Sequence, residues 1–520
     1  MAQAVPTDHI SIRRPTPRTL AWAALVLAVA LPLAALPLPW AAGLVAGVGV
    51  ALLVLAKPQW GLYLLAFSVP FESLRQFDLG GTSLGTTEAL VALLGLAWGL
   101  RVATRRPGGA EPRDVSSQVN GRSGPASARS AIAVAGSSAV GAREWAPGVL
   151  LGPLLLMLAA VVASTLRAVA LGPALKEDVR WLEVIVVYLA ASDLLRSPRR
   201  RAILITMLLL AGTLEAGLGY VQFLLRLGPP SFRSGGFLRA YGTFGQPNPY
   251  AGYLGTLLPL GLALALAGWA EVRARRTWPY ALALIVLALL GGALAASMSR
   301  GGLLGFAFAV AVVASVTSRR ALAVAVACFL AGLVALILGA FALLPPQISE
   351  RITQVSAYFG WFDVRTVAAN AANWAIVERM AHWQSAWAMF QAYPFLGVGP
   401  GNYPNAYPAF AMPGWKEDLG HAHNIYLNLL AENGAVGLTA YLVFWLVAFL
   451  LVWRRCRPLG PGLPWWERAV PLGVLGVLSQ VSLHNLFDNL MVHGLNVQLA
   501  LLLALAAWSA DGGRKVVPRC

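Results

Sequence analysis

Apolar runs of about 20 residues recur along this chain, the length that crosses a hydrocarbon core. Backbone groups in lipid must be satisfied within their own segment, so each run is expected to be a helix. The composition agrees: of 520 residues, 58% are hydrophobic and 12% charged, against about 25% charged in a soluble domain. The predicted fold is all-α, a polytopic membrane helix bundle of about 12–14 transmembrane helices with a long helical extracytoplasmic loop. Expected spans are 19–38, 41–56, 59–71, 85–101, 147–165, 181–195, 202–224, 249–269, 278–296, 301–317, 321–343, 424–453, 468–487 and 490–509.

The net charge is +17. The basic residues punctuate the apolar runs and form no separate basic domain. They read as topology signals, and no nucleic-acid partner is expected. With a cytoplasmic N-terminus, alternate connections carry Lys57, Arg101, Arg105, Arg106, Arg196, Arg199, Arg200, Arg201, Arg273, Arg275, Arg276, Arg319, Arg320, Arg454, Arg455, Arg457 and Arg468. All of these then face the cytosol. Arg13, Arg14 and Arg18 before the first run imitate a signal peptide. A second run follows at once, so the first is read as a retained helix. Cys328, Cys456 and Cys520 have no metal or redox spacing. No Gly-rich phosphate loop with Lys-Ser/Thr is present, so an ATP-driven pump lacks support.

The chain divides into N-terminal helices at 1–102, a Ser/Gly/Ala/Arg-rich segment at 103–146, helices at 147–344, an outer connection at 345–423, helices at 424–510 and a cytoplasmic tail at 511–520. Segment 103–146 lacks hydrophobic periodicity and is expected to be a disordered cytoplasmic loop. The outer connection is rich in aromatics, among them Tyr358, Trp361, Trp374, Trp383, Trp387, Tyr403 and Trp415. Ile376, Met380, Trp383 and Trp387 fall near helical spacing, which predicts an amphipathic helix from Asn373 to Gln391. A Pro/Gly-rich turn region follows from Pro394 to Pro404. A long ordered loop is usually functional; its plain alternative is a helix lying among lipid headgroups.

The most specific stretch begins Gly397-Val-Gly-Pro-Gly-Asn-Tyr and continues as His421-Ala-His423-Asn424-Ile-Tyr426 and Glu432-Asn433-Gly434-Ala-Val-Gly437. Here the chain resembles the O-antigen ligase and polymerase superfamily. That family carries a His, then Asn, Ser or Gln, then nine residues, then Gly-x-x-Gly, a spacing that His423, Asn424, Gly434 and Gly437 match. Ser299-Arg300-Gly301-Gly302 resembles its Ser-Arg-Gly element at a helix start. The segment from Gly242 through Asn248 to Gly252 resembles another helix entry, and Arg379, Trp383 and Trp387 resemble its outer loop. The likeness covers roughly 200–455; the N-terminal third is similar only in character. It implies a metal-independent inverting transfer in the inner (cytoplasmic) membrane, with the site on the periplasmic side. An undecaprenyl-diphosphate-linked glycan is the implied donor, and lipid A core, another glycan or a protein hydroxyl the acceptor. No cofactor is implied.

Such chemistry needs cations for the leaving diphosphate, a base for the attacking hydroxyl and an aromatic surface for sugars. Arginine suits the first need, because its fork pairs with phosphate oxygens and stays charged. Histidine suits the second. Arg300, at an outer helix end, is the leading phosphate ligand; its plain reading is a snorkelling interfacial charge. Gly301 and Gly302 would let a diphosphate approach the helix N-terminus. Arg180, expected to begin the sixth helix, reads equally as a second clamp or a boundary charge. Arg239 is placed similarly, before the Gly242 element. Arg379 either reaches the diphosphate or pairs with Glu378 or Asp363, and the pairing is favoured. His423 is the expected base, and its alternative is part of a helix start capped by Asn424. Asn424 is also carried as a substrate contact. His421 either orients His423 or simply occupies the loop.

His421 and His423, two apart, also invite a metal, but no matching carboxylate cluster is visible and none is expected. His382 reads as interfacial. The polar run His484-Asn485-Leu-Phe-Asp488-Asn489 reads as an interhelical turn in preference to a site lining. A competing class is a small-solute transporter, resembling relatives labelled as bicarbonate carriers. Transport predicts deep ionisable residues and paired broken helices, which are few here. The residues do not separate ligase from polymerase or protein glycosylation; the His-Asn spacing favours ligase.

Overall fold

A computed structural model of the chain describes residues 35–105, 146–273, 277–337, 360–456 and 464–508, apart from 75, 80, 81, 235, 371 and 372. The expected first helix lies almost wholly outside the described residues. So do residues 106–145 of the Ser/Gly/Arg-rich segment, residues 345–359 of the outer connection and the tail.

The described residues form fifteen helices. They are α1 (Leu38–Ala56), α2 (Gln59–Ser68), α3 (Thr86–Ala103), α4 (Ala146–Thr165), α5 (Leu171–Leu194), α6 (Pro198–Leu225), α7 (Pro247–Arg273), α8 (Trp278–Ala296), α9 (Arg300–Thr317), α10 (Arg319–Ile337), α11 (Trp374–Ala392), α12 (Tyr403–Phe410), α13 (Ile425–Arg455), α14 (Trp465–His484) and α15 (Leu495–Trp508). Two short antiparallel hairpins accompany them, β1 (Gln76–Leu79) with β2 (Thr82–Gly85) and β3 (Arg233–Ser234) with β4 (Phe237–Leu238). Among the described residues, eight helices are long and apolar enough to cross a membrane. The chain is an all-α polytopic membrane protein, as the apolar periodicity predicts.

Helix boundaries follow local chemistry. The Ser299 hydroxyl caps α9 by accepting from the Gly302 N–H at 3.3 Å. Pro198 opens α6 at a position where no N–H is needed. The boundaries also correct three expectations. α5 starts ten residues before the expected 181, so Arg180 sits inside a helix. α14 ends at His484 and α15 begins at Leu495, so their connection is longer than the expected spans allow. The Pro/Gly-rich stretch leads into a further helix, α12.

α7 forms the centre, with 83% of its apolar window buried against α8, α9 and α14. α1 lies at the edge, with 6% of its window buried. The two ends of the bundle differ. At one end Arg105 and Arg196 pair with Asp193 at 2.9 and 2.7 Å. There too Arg201 makes a buried pair with Glu467 at 2.6 Å. At the opposite end lie the outer connection, the 485–494 turn and the starts of α5, α7, α9 and α13. This division matches the expected alternation of connections along the chain.

Candidate active site

The site end is built around a break in α13. Gly434 adopts φ 64 and ψ −164 within that helix, a region open essentially to glycine alone. The break leaves backbone groups without helical partners, and the turn 394–399 supplies them. Val398 and Gly399 donate to the Ala431 and Glu432 carbonyls, each at 2.9 Å. Ala435 and Val436 donate to the Pro394 and Phe395 carbonyls at 2.8 and 3.2 Å. A Cβ on Gly397 would strike the Glu432 backbone, and one on Gly434 would strike Phe395. Both glycine elements of the sequence thus meet in one splice. The buried Glu432 carboxylate accepts from the Tyr403 N–H at 2.9 Å and from Asn428 at 3.0 Å, locking α12 in place. Asn402 grips Ala170 through both backbone groups, at 2.8 and 3.0 Å.

His423 sits just ahead of α13, held at φ 50. Asn424 caps the helix: its Oδ1 accepts from Tyr426 and Leu427 N–H at 3.0 and 3.1 Å. Its Nδ2 donates to the Leu486 carbonyl at 3.0 Å. Ile425 N–H donates to Asn485 O at 3.0 Å. These bonds pull the 485–494 turn against the histidines. As a result Asp488, 3% exposed, lies 3.6 Å from His423 Nδ1 and 3.9 Å from His421 Nε2. Both distances exceed hydrogen-bond length but leave strong charge coupling.

The electrostatics assign roles. Burial alone would raise the Asp488 carboxyl; the facing His423, then His421 and Arg379, outweigh it and hold it well below the usual carboxylate range. It is an anion at neutral pH. The His421 Nδ1 accepts the His423 N–H at 3.1 Å, so in the neutral ring its proton sits on Nε2, towards Asp488. Burial and then His423 lower His421 to about 4, so it stays neutral. Asp488 facing His423 Nδ1 favours a proton there, which leaves Nε2 with a lone pair.

Several expected residues join this cluster and others do not. Arg379 does: its charge acts on Asp488, His421 and His382. Its guanidinium donates to the Ala375 carbonyl at 3.0 Å, while Asp363 binds Arg365 and Glu378 accepts from the Trp374 indole. Arg300 starts α9 one residue before Gly301, and a Cβ on Gly301 would meet His484. His484 ends α14 immediately before the turn that carries Asp488. Gly302 abuts Ala251. These glycines are therefore occupied by helix packing, which corrects the open phosphate approach expected of them. Arg239 donates to the Ser297 carbonyl at 2.9 Å and to Asn248 Oδ1 at 3.0 Å, at the entrance to α9. The loop that follows it is held by buried Glu215, which accepts from the Thr243 N–H at 3.1 Å and hydroxyl at 2.8 Å. Arg180 stands apart, ion-paired with Glu177 beside a small cavity lined by Glu72, Glu88, Glu183 and His493. Burial, then the Glu88 carboxylate, raises the Glu72 carboxyl to about 7 there.

Sequence reasoning missed two residues. Asp488 falls in the polar run that reads as an interhelical turn, and its polar neighbours His484 and Asn485 are the signal for a site role. It supplies the carboxylate thought absent: His421, His423 and Asp488 place ligand atoms within 4.8 Å of one another. His382 reads from sequence as interfacial, but the structure buries it. It is 1% exposed, bonded to the Tyr403 hydroxyl at 2.9 Å and edge-on to His423 at 5.7 Å.

Residues 283–442 match the family model described as O-antigen ligase. The match covers 160 of the 520 residues, and this stretch of the chain is similar to the O-antigen ligase superfamily. No curated protein matches it. The O-antigen ligase match runs from within α8 into α13 and contains Arg300, Arg379, His421, His423, Asn424, Gly434 and Gly437. It leaves Asp488, Arg239 and Arg180 outside. Similarity to the O-antigen ligase superfamily supports a membrane glycan transferase of ligase or polymerase type acting on lipid-linked glycans.

One solution property follows from this geometry. Burial, then His423 and His421, lower His382 to about 3, against about 6.5 for a free imidazole. The unfolded chain therefore binds more protons between those values, and folded-state stability falls as pH drops from about 6.5 to about 3. Thermal unfolding of the purified protein is expected to show this loss. His382→Gln should flatten the slope over that window.

Proposed function

We propose that this protein transfers a glycan from undecaprenyl diphosphate to an acceptor hydroxyl on the outer face of the cytoplasmic membrane, with lipid A core as acceptor. The Asp488–His423 pairing carries this reading. An anion behind Nδ1 and a lone pair on Nε2 make a base at the membrane boundary. His423 takes the proton of the acceptor hydroxyl as that oxygen bonds to the anomeric carbon of the donor. The bond from that carbon to the diphosphate breaks, the configuration inverts, and the lipid diphosphate leaves with the electron pair. Arg300 and Arg379 stabilise its growing charge, and fixed cations aimed at developing charge lower the barrier directly. Arg239 supports Arg300 by fixing the entrance to its helix. Arg180, already ion-paired, is assigned a secondary contact to the donor headgroup, and Asn424 and His421 shape the site.

The ligase assignment rests on the His423-Asn424 spacing to Gly434 and Gly437. Polymerisation and protein glycosylation use the same chemistry with other hydroxyls. The test is transfer by purified protein in proteoliposomes that contain a lipid-linked glycan and lipid A core. Transfer to lipid A core is expected. Extension of the donor's own glycan would instead assign a polymerase, and solute flux without transfer would sink the enzyme reading.

Arg300→Lys discriminates the phosphate role from snorkelling. A two-pronged hold on phosphate oxygens is not reproduced by an ammonium. Transfer is expected to fall at least about tenfold, the loss of about 1.4 kcal/mol of transition-state stabilisation. A snorkelling arginine would tolerate lysine, so full activity would remove this role.

Transfer is also expected to continue in EDTA. Loss of activity that a divalent cation restores would reassign His421, His423 and Asp488 as metal ligands.

A further inference from the structure

Trp361 leaves 59% of its surface exposed, yet it is firmly held. Gln384 on α11 acts as a clasp for the segment carrying it. Its Nε2 donates to the Phe362 carbonyl at 2.5 Å, and its Oε1 accepts the Val364 N–H at 3.4 Å. Val364 is buried with Val377, Met380 and Ala381, which anchors the segment on α11. Trp361 consequently lies against Trp383, with ring centroids 6.3 Å apart and planes at 29°. The Trp383 indole N–H in turn donates to the His423 carbonyl at 3.4 Å. The two stacked indoles therefore link solvent to the backbone of the residue proposed as base. At its outer edge Asp363 and Arg365 form an exposed ion pair at 2.6 Å.

We propose that the Trp361–Trp383 stack, edged by Asp363 and Arg365, is a saccharide subsite that takes a pyranose ring of the transferred glycan. The proposal rests on the glycan-transfer reading and names where that glycan is held. A pyranose presents a flat C–H face and a rim of hydroxyls. The C–H face suits an indole whose other side is already supported, because the platform is rigid before binding. The hydroxyl rim suits a carboxylate and a guanidinium that accept and donate without leaving the surface. A tryptophan that only anchors the protein among headgroups needs no clasp, no stacked partner and no link to the base. Trp374 provides the contrast on the same helix: its ring tilts 51° against Trp415 and its N–H is taken by Glu378.

The experiment uses the full chain in detergent and the free oligosaccharide released from the lipid-linked donor by mild acid. Binding is followed by tryptophan fluorescence and by saturation-transfer NMR. Wild type is expected to bind. Trp361→Ala is expected to weaken binding about tenfold, the scale of one lost aromatic contact. Trp361→Phe should retain most of the affinity, and Trp387→Ala should match wild type. In transfer assays Trp361→Ala should raise the donor KM by a similar factor with kcat nearly unchanged. Thermal unfolding identical to wild type will show that the variant is folded. Equal oligosaccharide binding by wild type and Trp361→Ala, or no binding by wild type, overturns the subsite. Binding that depends on Trp361 in a protein with no transfer activity would keep the subsite and sink the transferase reading.

Discussion

Replacing His423 with alanine is expected to lower glycan transfer by about 10²–10⁴-fold, the usual contribution of a positioned base. The amount of folded protein should not change, because the ring packs edge-on and carries no cap. His423 holds φ 50, a conformation asparagine adopts more readily than alanine. His423→Asn is therefore the cleaner variant and should be equally inactive. Asp488→Asn keeps the size of the side chain and removes the anion. It should cost less than losing the base, because the imidazole remains but its tautomer is no longer biased. A steady-state assay in proteoliposomes decides the matter. Normal turnover by both His423 variants would exclude an imidazole base.

The second large effect is structural. Gly434→Ala should leave little folded protein, measured as the monodisperse fraction after purification. Its conformation costs a side-chain residue about 1–3 kcal/mol. The added Cβ also collides with Phe395. Parting the turn from α13 leaves buried backbone groups unpaired, each at about 1–3 kcal/mol. Together these approach the whole stability of an ordinary domain, about 5–15 kcal/mol. Gly397→Ala attacks the same contact from the other side, since its Cβ meets Glu432. The double variant should be little worse than the poorer single one, because neighbouring changes that break one contact do not add. A well-folded Gly434→Ala protein would mean that the splice contributes little.

The helices were legible because a bilayer imposes one length and one backbone solution on every crossing. Hence spans such as 278–296 fall where apolar periodicity puts them. The His423-Asn424 pair and the two glycines were legible because their spacing is local. Asp488 was not, because its meeting with His423 depends on Asn424 and Ile425 bonding to a turn some sixty residues further along. His382 was misplaced for a related reason. The helical spacing of α11 identifies an apolar face, but the cover over that face comes from Tyr403 and Tyr407 on α12. Arg180 was misplaced because Lys176, Glu177 and Asp178 read as a boundary, whereas they lie within the first turns of α5. A helix can begin with charged residues when they face the loop end of the bundle.

The interlock between the 394–399 turn and α13 limits which part of the site end can move. Many transferases shut a mobile cover over their reactants. Here the 394–399 turn is stitched into a bundle helix by four main-chain bonds, so lifting it would mean unmaking that helix. Any rearrangement that admits reactants must therefore spare this turn.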